Sequence, residues 1–126
     1  MRIATTNKSP ALAARLAEQK ALEARDVTAA ALAGDRAAGE IWDEVGWYIG
    51  VALTSYLHIY DPHVMLIGGG VAEAGELLLE PIRRTIQSLG SPYYLRHLRG
   101  VKKAALGPAA GLIGAAALIL LPESLT

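Results

Sequence analysis

The sequence predicts an α/β fold that is rich in helix and contains a small parallel sheet. Residues 64–67 are four large apolar residues in a row, which is typical of a short buried strand. Three glycines, residues 68–70, follow at once and indicate a tight turn. Residues 101–106 form a second candidate strand, and a helical pattern separates the two. Because strands joined by a helix form a parallel crossover unit, the sheet is expected to be parallel.

The composition narrows the class of protein. A length of 126 residues suggests one domain or part of one. The hydrophobic fraction of 52% is enough for a core and argues against disorder. A formal net charge of zero favours neither nucleic acid nor an anionic membrane as partner. The absence of cysteine excludes disulfides and thiolate metal sites and fits a reducing cytoplasm, where we place the protein.

No targeting or membrane segment is expected. The first ten residues contain the polar run Thr-Thr-Asn-Lys, where a signal peptide would need an apolar core. The most apolar run, residues 109–121, is well short of the roughly 20 residues that a spanning helix needs. We therefore interpret it as a buried helix.

The first element is predicted to be a helix from Pro10 to about Arg25. Ser9 is a good N-cap, and proline is favoured at the first helical position. Alanine, leucine and long charged residues then favour helix throughout. Its apolar face is expected to contain Leu12 and Leu16.

Two further helices follow. Asp26 is predicted to cap a short helix over residues 27–33, which Gly34 ends. Asp35 then caps a long helix over residues 36–60, which the Asp-Pro pair at residues 61–62 ends. Its apolar face is predicted from helical spacing: Ile41, Val45, Tyr48, Ile49, Ala52, Leu53, Tyr56, Leu57 and Tyr60. Its glycines, Gly39, Gly46 and Gly50, have a spacing that lets another helix pack closely.

The remaining elements surround the two strands. A short helix is expected over residues 73–79, and Pro81 restarts it to residue 89, with Ile82, Ile86 and Leu89 facing inward. Residues 90–92 form a loop, and residues 93–99 are irregular or briefly helical. Since two strands alone make a poor sheet, we expect further strands beside them, from another chain or from another part of the protein.

Four segments together resemble the ROK family of bacterial sugar kinases and sugar-responsive repressors. They are Tyr-Ile-Gly-Val-Ala-Leu at residues 48–53, Asp-Pro-His-Val-Met-Leu-Ile-Gly-Gly-Gly-Val at 61–71, Gly-Glu-Leu-Leu-Leu-Glu-Pro-Ile at 75–82, and Ala-Leu-Gly-Pro-Ala-Ala-Gly-Leu-Ile-Gly-Ala-Ala at 105–116. The resemblance runs from about Asp35 to Leu121. It divides the chain into a helical N-terminal segment, residues 1–34, and a C-terminal ROK-kinase-like α/β segment, residues 35–126.

The resemblance implies a partial actin-like ATPase domain with the ribonuclease H-like fold, and an ATP-dependent hexose kinase of the glucokinase type. Gly68, Gly69, Gly70 and Val71 correspond to the family's adenosine motif, and the last helix, from Gly111, is expected to pack near that turn. ATP with Mg²⁺ is the implied cofactor. The alternative for the glycines is a strand-to-helix turn that needs small residues only for packing.

Three motifs of the family are not found in these 126 residues. They are the phosphate loop, the Asn-Asp segment with the aspartate that deprotonates the sugar, and the Cys/His zinc motif, so no zinc is expected. We predict no catalytic and no metal-binding residue in the chain and expect it to be inactive alone. The expected partner is a second copy of the chain or a complementary N-terminal chain.

Other polar residues are given structural roles. Asp35 is interpreted as a helix cap, Asp43 as part of a solvent-exposed helix face, and Asp61 as a turn residue. The histidines at 58, 63 and 97 lack metal-ligand spacing. The basic cluster of Arg96, His97, Arg99, Lys102 and Lys103 could meet phosphate or nucleic acid, but solvated charges explain it as well. A repressor remnant would require a helix-turn-helix, and none is evident.

Overall fold

The computed structural model describes residues 9–17 and 21–120 of the chain. The α-helices are α1 (Pro10–Ala17), α2 (Ala24–Leu32), α3 (Arg36–Tyr60), α4 (Glu76–Leu89), α5 (Pro92–Leu95) and α6 (Ala110–Leu120). The strands are β1 (Met65–Ile67) and β2 (Val101–Lys103), and two 3₁₀ helices span Gly70–Ala74 and Gly107–Ala109. The fold is helix-rich with a small sheet, as the sequence predicts.

The first helix begins as predicted. The Leu12 backbone N–H donates to the Ser9 hydroxyl at 3.2 Å, and Leu12 is buried in the core. The helix does not continue to Arg25, because α1 ends at Ala17 and α2 begins at Ala24. Residues 18–20, between them, lie outside the described residues, and so does the side chain of Leu16.

The start of α2 corrects one prediction. Glu23, not Asp26, is the N-cap, and Asp26 occupies the third helical position. The Glu23 backbone N–H donates to Asp26 Oδ2 at 3.0 Å, which is one half of a capping box. The predicted helix therefore exists but starts three residues earlier. Gly34 follows its end with φ of 90°, a conformation that favours glycine.

Helix α3 has the predicted bounds. Asp35 caps it by accepting a 3.0 Å hydrogen bond from the Ala38 backbone N–H, and Asp61 ends it in the left-handed conformation with φ of 45°. Its predicted apolar face is confirmed in part, because Leu57 is buried and the predicted aliphatic residues pack against the core: Ile41, Val45, Ile49 and Leu53. Tyr48, Tyr56 and Tyr60 are exposed. The fully buried residues include six that the prediction did not contain: Ala37, Ala38, Trp42, Gly46, Gly50 and Thr54.

This difference arises from close packing between α3 and α4. A Cβ atom built on Gly46 would lie 2.5 Å from Pro81 Cγ, and one built on Gly50 would lie 2.5 Å from Thr85 Cβ. The predicted close approach at these two glycines is confirmed, whereas Gly39 has nothing within 4 Å. The glycines face α4 because the two helices approach each other there more closely than any side chain on α3 would permit.

Helix α4 is continuous, so the prediction that Pro81 restarts it is wrong. Pro81 lies inside the helix and is buried. Proline in a helix interior removes one backbone hydrogen bond, but here its ring packs on Gly46. Ile82 and Ile86 are buried as predicted, whereas Leu89 is exposed.

The sheet consists of β1 and β2, which are parallel as predicted, with Met65 opposite Val101 and Ile67 opposite Lys103. Both strands are shorter than the predicted ones, and residues 104–106 leave the sheet. Met65 and Val101 are buried, while Leu66 is 64% exposed. One face of the sheet is thus covered and the other is open, although parallel sheets are normally covered on both faces.

The last helix does not match its prediction. Helix α6 forms, but none of its residues is buried, and Leu112, Ile119 and Leu120 are more than 75% exposed. Gly111 has nothing within 4 Å, so the expected packing near the glycine turn does not occur. Within residues 9–17 and 21–120, no helix is both long and apolar enough to cross a membrane.

The α3–α4 contact yields a matched pair of substitutions. Gly50→Ala is expected to destabilise the protein by about 1–3 kcal/mol, because the new methyl overlaps Thr85 Cβ and also lies 3.1 Å from the Ile82 carbonyl oxygen. Gly39→Ala on the same helix meets no atom and is expected to be neutral or to stabilise by up to about 1 kcal/mol. Urea unfolding monitored by circular dichroism measures both, and equal effects would contradict this packing.

A second prediction concerns the link between α1 and α3. The Ser9 hydroxyl donates to Asp35 Oδ2 at 2.5 Å and, with the Ala38 N–H, holds the pKa of Asp35 below its usual value. A carboxyl with a lowered folded-state pKa stabilises the protein above its unfolded pKa, and this stabilisation is lost as the pH falls through the folded pKa.

Ser9→Ala should therefore reduce stability at pH 6 through the loss of both the α1 cap, about 1 kcal/mol, and the Asp35 hydrogen bond. The gap between variant and parent should narrow as the pH falls below about 4. Thermal unfolding of both proteins between pH 3 and pH 6 tests this, and a gap that stays constant across the range would refute it.

Candidate functional site

The glycine turn lies at the carboxyl end of β1. Gly68, Gly69 and Gly70 are all exposed, and Gly69 has φ of 84° and ψ of 177°, a combination reached almost only by glycine. A Cβ on Gly69 or on Gly70 would meet no atom within 4 Å, and one on Gly68 would only touch Ala104 Cβ at 3.6 Å. The glycines are therefore not required for packing within the described residues, and their backbone is open to a ligand.

The turn does not lead directly into an α-helix. The helix predicted over residues 73–79 starts instead at Glu76. Val71 lies in the 3₁₀ helix Gly70–Ala74, in which the Ala72 N–H donates to the Gly69 carbonyl at 3.1 Å. Gly75, with φ of 60°, separates this turn from α4. The triglycine is therefore separated from the N-terminus of α4 by this 3₁₀ turn.

A second turn lies beside the first. The Ala104 N–H donates to the Ile67 carbonyl at 2.9 Å, and the 3₁₀ helix Gly107–Ala109 contacts the 3₁₀ helix Gly70–Ala74. Lys103 Nζ and Glu73 Oε2, 2.7 Å apart, join the end of β2 to the first turn. Both turns thus lie at the carboxyl ends of parallel strands, the edge at which open α/β sheets bind ligands.

A crevice of about 250 Å³ opens between this turn and α2, and we call it the Gly70 crevice. Its lining is mainly apolar: Ala24, Arg25, Thr28, Ala29, Leu32, Trp42, Gly70, Val71, Glu73 and Ala74. Its two charged residues are already in ion pairs, Arg25 with Glu23 at 2.8 Å and Glu73 with Lys103. Ligand sites are typically lined by apolar side chains with a few polar groups, and the crevice has a lining of this kind.

Trp42 connects the crevice to the core. A second hollow of about 260 Å³ shares Ala24, Trp42 and Val71 with it. Trp42 is only 4% exposed, and its indole Nε1–H has no hydrogen-bond partner among the described residues. Since Trp42 is one helical turn before Gly46, the α3–α4 packing also fixes the wall of the crevice.

Sequence reasoning missed the contribution of α2 to this site. Arg25 and Thr28 lie in the N-terminal segment, which carried no motif, and the sequence holds no signal that brings them to Gly70. Trp42 also lies outside the apolar face that helical spacing predicts for this helix.

The other candidate residues are in structural contacts. Asp43 Oδ1 accepts from Arg84 at 2.7 Å. Asp61 Oδ2 lies 2.8 Å from His97 Nδ1, and His58 Nε2 accepts from the Ser91 N–H at 3.0 Å. No group of three or more histidine, aspartate or glutamate residues that could hold a metal ion occurs where the structure describes the chain.

The basic cluster is divided among separate partners. Arg96 stacks on the Tyr93 ring with its Cζ 4.7 Å from the ring centre. His97 contacts Asp61, and Lys103 pairs with Glu73. Since three of its five members are held in different contacts, the cluster offers no single cationic surface.

These features define an α/β segment that presents an open glycine turn at the carboxyl edge of a parallel sheet. The sequence model described as the ROK family matches residues 4–121. The chain therefore belongs to the ROK family. The match begins well before Asp35, from which the motifs were recognised.

Individual relatives agree with this assignment. A glucokinase of Halalkalibacterium halodurans is 34% identical over 122 residues, which cover 95% of this chain and 36% of the relative. A glucokinase of Thermotoga maritima is 35% identical over 97 residues, which cover 77% of this chain and 30% of the relative. The chain thus spans about a third of the length of these relatives.

A solved structure shows the same fold. The ROK family glucokinase of Streptomyces griseus, crystallised with glucose and AMPPNP, superposes with a TM-score of 0.72 at 32% identity. The match covers 91% of this chain and 38% of that one. The fold is therefore part of the actin-like ATPase fold of ROK sugar kinases, as the resemblance implies.

Proposed function

We propose that this chain is the nucleotide-side, C-terminal part of an ATP-dependent sugar kinase of the glucokinase type. The observation that supports it best is the exposed triglycine turn beside the Gly70 crevice, where a Cβ would meet nothing. The similarity to glucokinases supports the same function. This function belongs in the cytoplasm, where ATP is available.

The described residues fit the adenosine part of ATP. The backbone of Gly69 and Gly70 allows close approach of the nucleotide, because neither carries a side chain and both are exposed. Val71 and Trp42 supply apolar walls. The Thr28 hydroxyl, which donates to the Ala24 carbonyl at 2.9 Å, can still accept a hydrogen bond. The bound ATP would supply the phosphoryl group, with Mg²⁺ balancing the phosphate charges.

The described residues do not supply the rest of the reaction. Phosphoryl transfer needs positioned phosphate clamps, Mg²⁺ ligands and a base that reaches the sugar hydroxyl. Asp35, Asp43 and Asp61 are held in a helix cap, an ion pair and a histidine contact. We propose that the chain binds nucleotide but does not phosphorylate sugar by itself.

Nucleotide binding is the first test. Isothermal titration with ATP and ADP should give measurable heat for the parent protein. Gly70→Ala should weaken binding about tenfold or more, because the new methyl occupies the side on which the ligand approaches. It should leave the melting temperature unchanged, since that methyl meets no protein atom.

Gly39→Ala is the matched control, since its methyl also meets no atom but lies on α3 away from the turn. It should bind nucleotide as the parent does. Absence of heat with both nucleotides, or equal affinity of parent and Gly70→Ala, would count against the proposed site.

Catalysis is the second test. A coupled assay with glucose, ATP and Mg²⁺ should show no turnover by the purified chain above a protein-free blank. The same assay with a complete ROK glucokinase is the positive control. Sugar-dependent turnover by the chain alone would show that the groups for phosphoryl transfer are present after all.

A second candidate function is a non-catalytic interaction module of ROK origin, which would bind a second copy or a complementary chain. The exposed apolar helix α6 favours it, with Leu112, Leu118 and Ile119 all more than 60% exposed. Large exposed apolar patches are typical of protein interfaces. The titration separates the two candidates, because an interaction module predicts no heat with ATP or ADP.

A further inference from the structure

Glu73 places a negative charge in the wall of the Gly70 crevice. Among the described residues that line the crevice, Glu73 alone is acidic. The nucleotide proposed for this crevice is also an anion, because its phosphates carry several negative charges. Since like charges repel across a partly exposed site, Glu73 by itself would oppose the binding of ATP.

Lys103 supplies the opposite charge from a distant part of the chain. Its Nζ lies 2.7 Å from Glu73 Oε2, and the two residues are 30 positions apart in the sequence. Lys103 is the last residue of β2 and lies opposite Ile67, the residue just before the glycine turn. The parallel register of the two strands therefore brings this cation to the crevice.

The backbone on both sides of the ion pair is fixed. Ala72, next to Glu73, is buried, and its N–H donates to the Gly69 carbonyl at 3.1 Å. The Ala104 N–H, next to Lys103, donates to the Ile67 carbonyl at 2.9 Å. The ion pair is thus a built part of the crevice wall, although its two side chains are long.

The stability of the fold gives little reason for this ion pair. Its side chains are 39% and 50% exposed for Lys103 and Glu73, and ion pairs with this exposure contribute little to the free energy of unfolding. Its effect on the charge that a ligand meets is larger, because a phosphorylated ligand carries several charges and each of them interacts with an unpaired carboxylate.

We propose that Lys103 is a positioning residue for nucleotide binding, which holds and neutralises the Glu73 carboxylate so that the Gly70 crevice accepts a phosphorylated nucleotide. This inference rests on the proposed function and deepens it, because it names the residue that sets the preference for a charged nucleotide over adenosine. ATP and adenosine share the base and the ribose. The charge at Glu73 therefore changes the ratio of their affinities.

Two single substitutions should change the affinity for ATP in opposite directions. Lys103→Met leaves Glu73 without its cation, so ATP should bind about fivefold more weakly. Glu73→Gln leaves the lysine without its anion, so ATP should bind about fivefold more tightly. Adenosine should bind to both variants as it does to the parent, since it has no phosphate. Isothermal titration of the full chain with ATP and with adenosine measures all of these affinities.

Three further variants serve as controls. Lys103→Arg keeps the cation and should bind ATP as the parent does. The double variant Lys103→Met with Glu73→Gln removes both charges and should restore the parent's affinity. Lys102→Met changes the net charge of the chain by the same amount as Lys103→Met, but consecutive strand residues point to opposite faces of the sheet. It should leave the affinity for ATP unchanged.

Ionic strength gives an independent measurement. Raising it from about 0.01 M to about 1 M shortens the Debye length from about 30 Å to about 3 Å. The difference in ATP affinity between Lys103→Met and the parent should therefore disappear at high salt. The melting temperature of Lys103→Met should stay close to that of the parent, because the exposed pair contributes little to stability.

An ion pair that only braces the two turns gives different results. Both single substitutions would then weaken ATP and adenosine by the same factor. That result, or an unchanged affinity of Lys103→Met for ATP, would overturn the inference and leave the proposed nucleotide site in place. Absence of heat from the parent with both ATP and adenosine would overturn the proposed function and this inference together.

Discussion

The structure depends on the direct contact between α3 and α4 at two glycines. The ring of Pro81 packs on Gly46, and the side chain of Thr85 packs on Gly50. Neither position has space for a methyl group. Close approach of two helices increases dispersion contacts along their whole length. The buried residues Leu57, Leu78 and Ile82 form the core around this contact.

The candidate site derives its geometry from this contact. Trp42 lies one turn before Gly46 and forms a wall of the Gly70 crevice, so the position of α3 on α4 also sets the crevice. Arg83 Nε donates to the Val101 carbonyl at 3.0 Å, which ties α4 to β2. The glycine turn is held between these elements, although its own residues make few contacts.

Apolar surface is exposed in three places. The second sheet face at Leu66, the tyrosine side of α3 and the whole of α6 are uncovered in the described chain. The chain spans about a third of the length of the glucokinases that it matches. The tyrosine side of α3 is exposed because no other element of the described chain covers it, although its helical spacing is that of an apolar face.

The sequence by itself determined the elements whose signals are local. Ser9 and Asp35 cap helices through their own side chains, residues 61–62 end α3, and the apolar run before three glycines forms a strand. The parallel sheet and the ROK family also followed from local motifs. Only the tertiary structure decided which side of α3 is buried, that Pro81 stays within a continuous helix, and that Arg25 and Thr28 reach the Gly70 crevice. These features depend on contacts between residues far apart in the chain, and the periodicity of a single helix does not specify its neighbour.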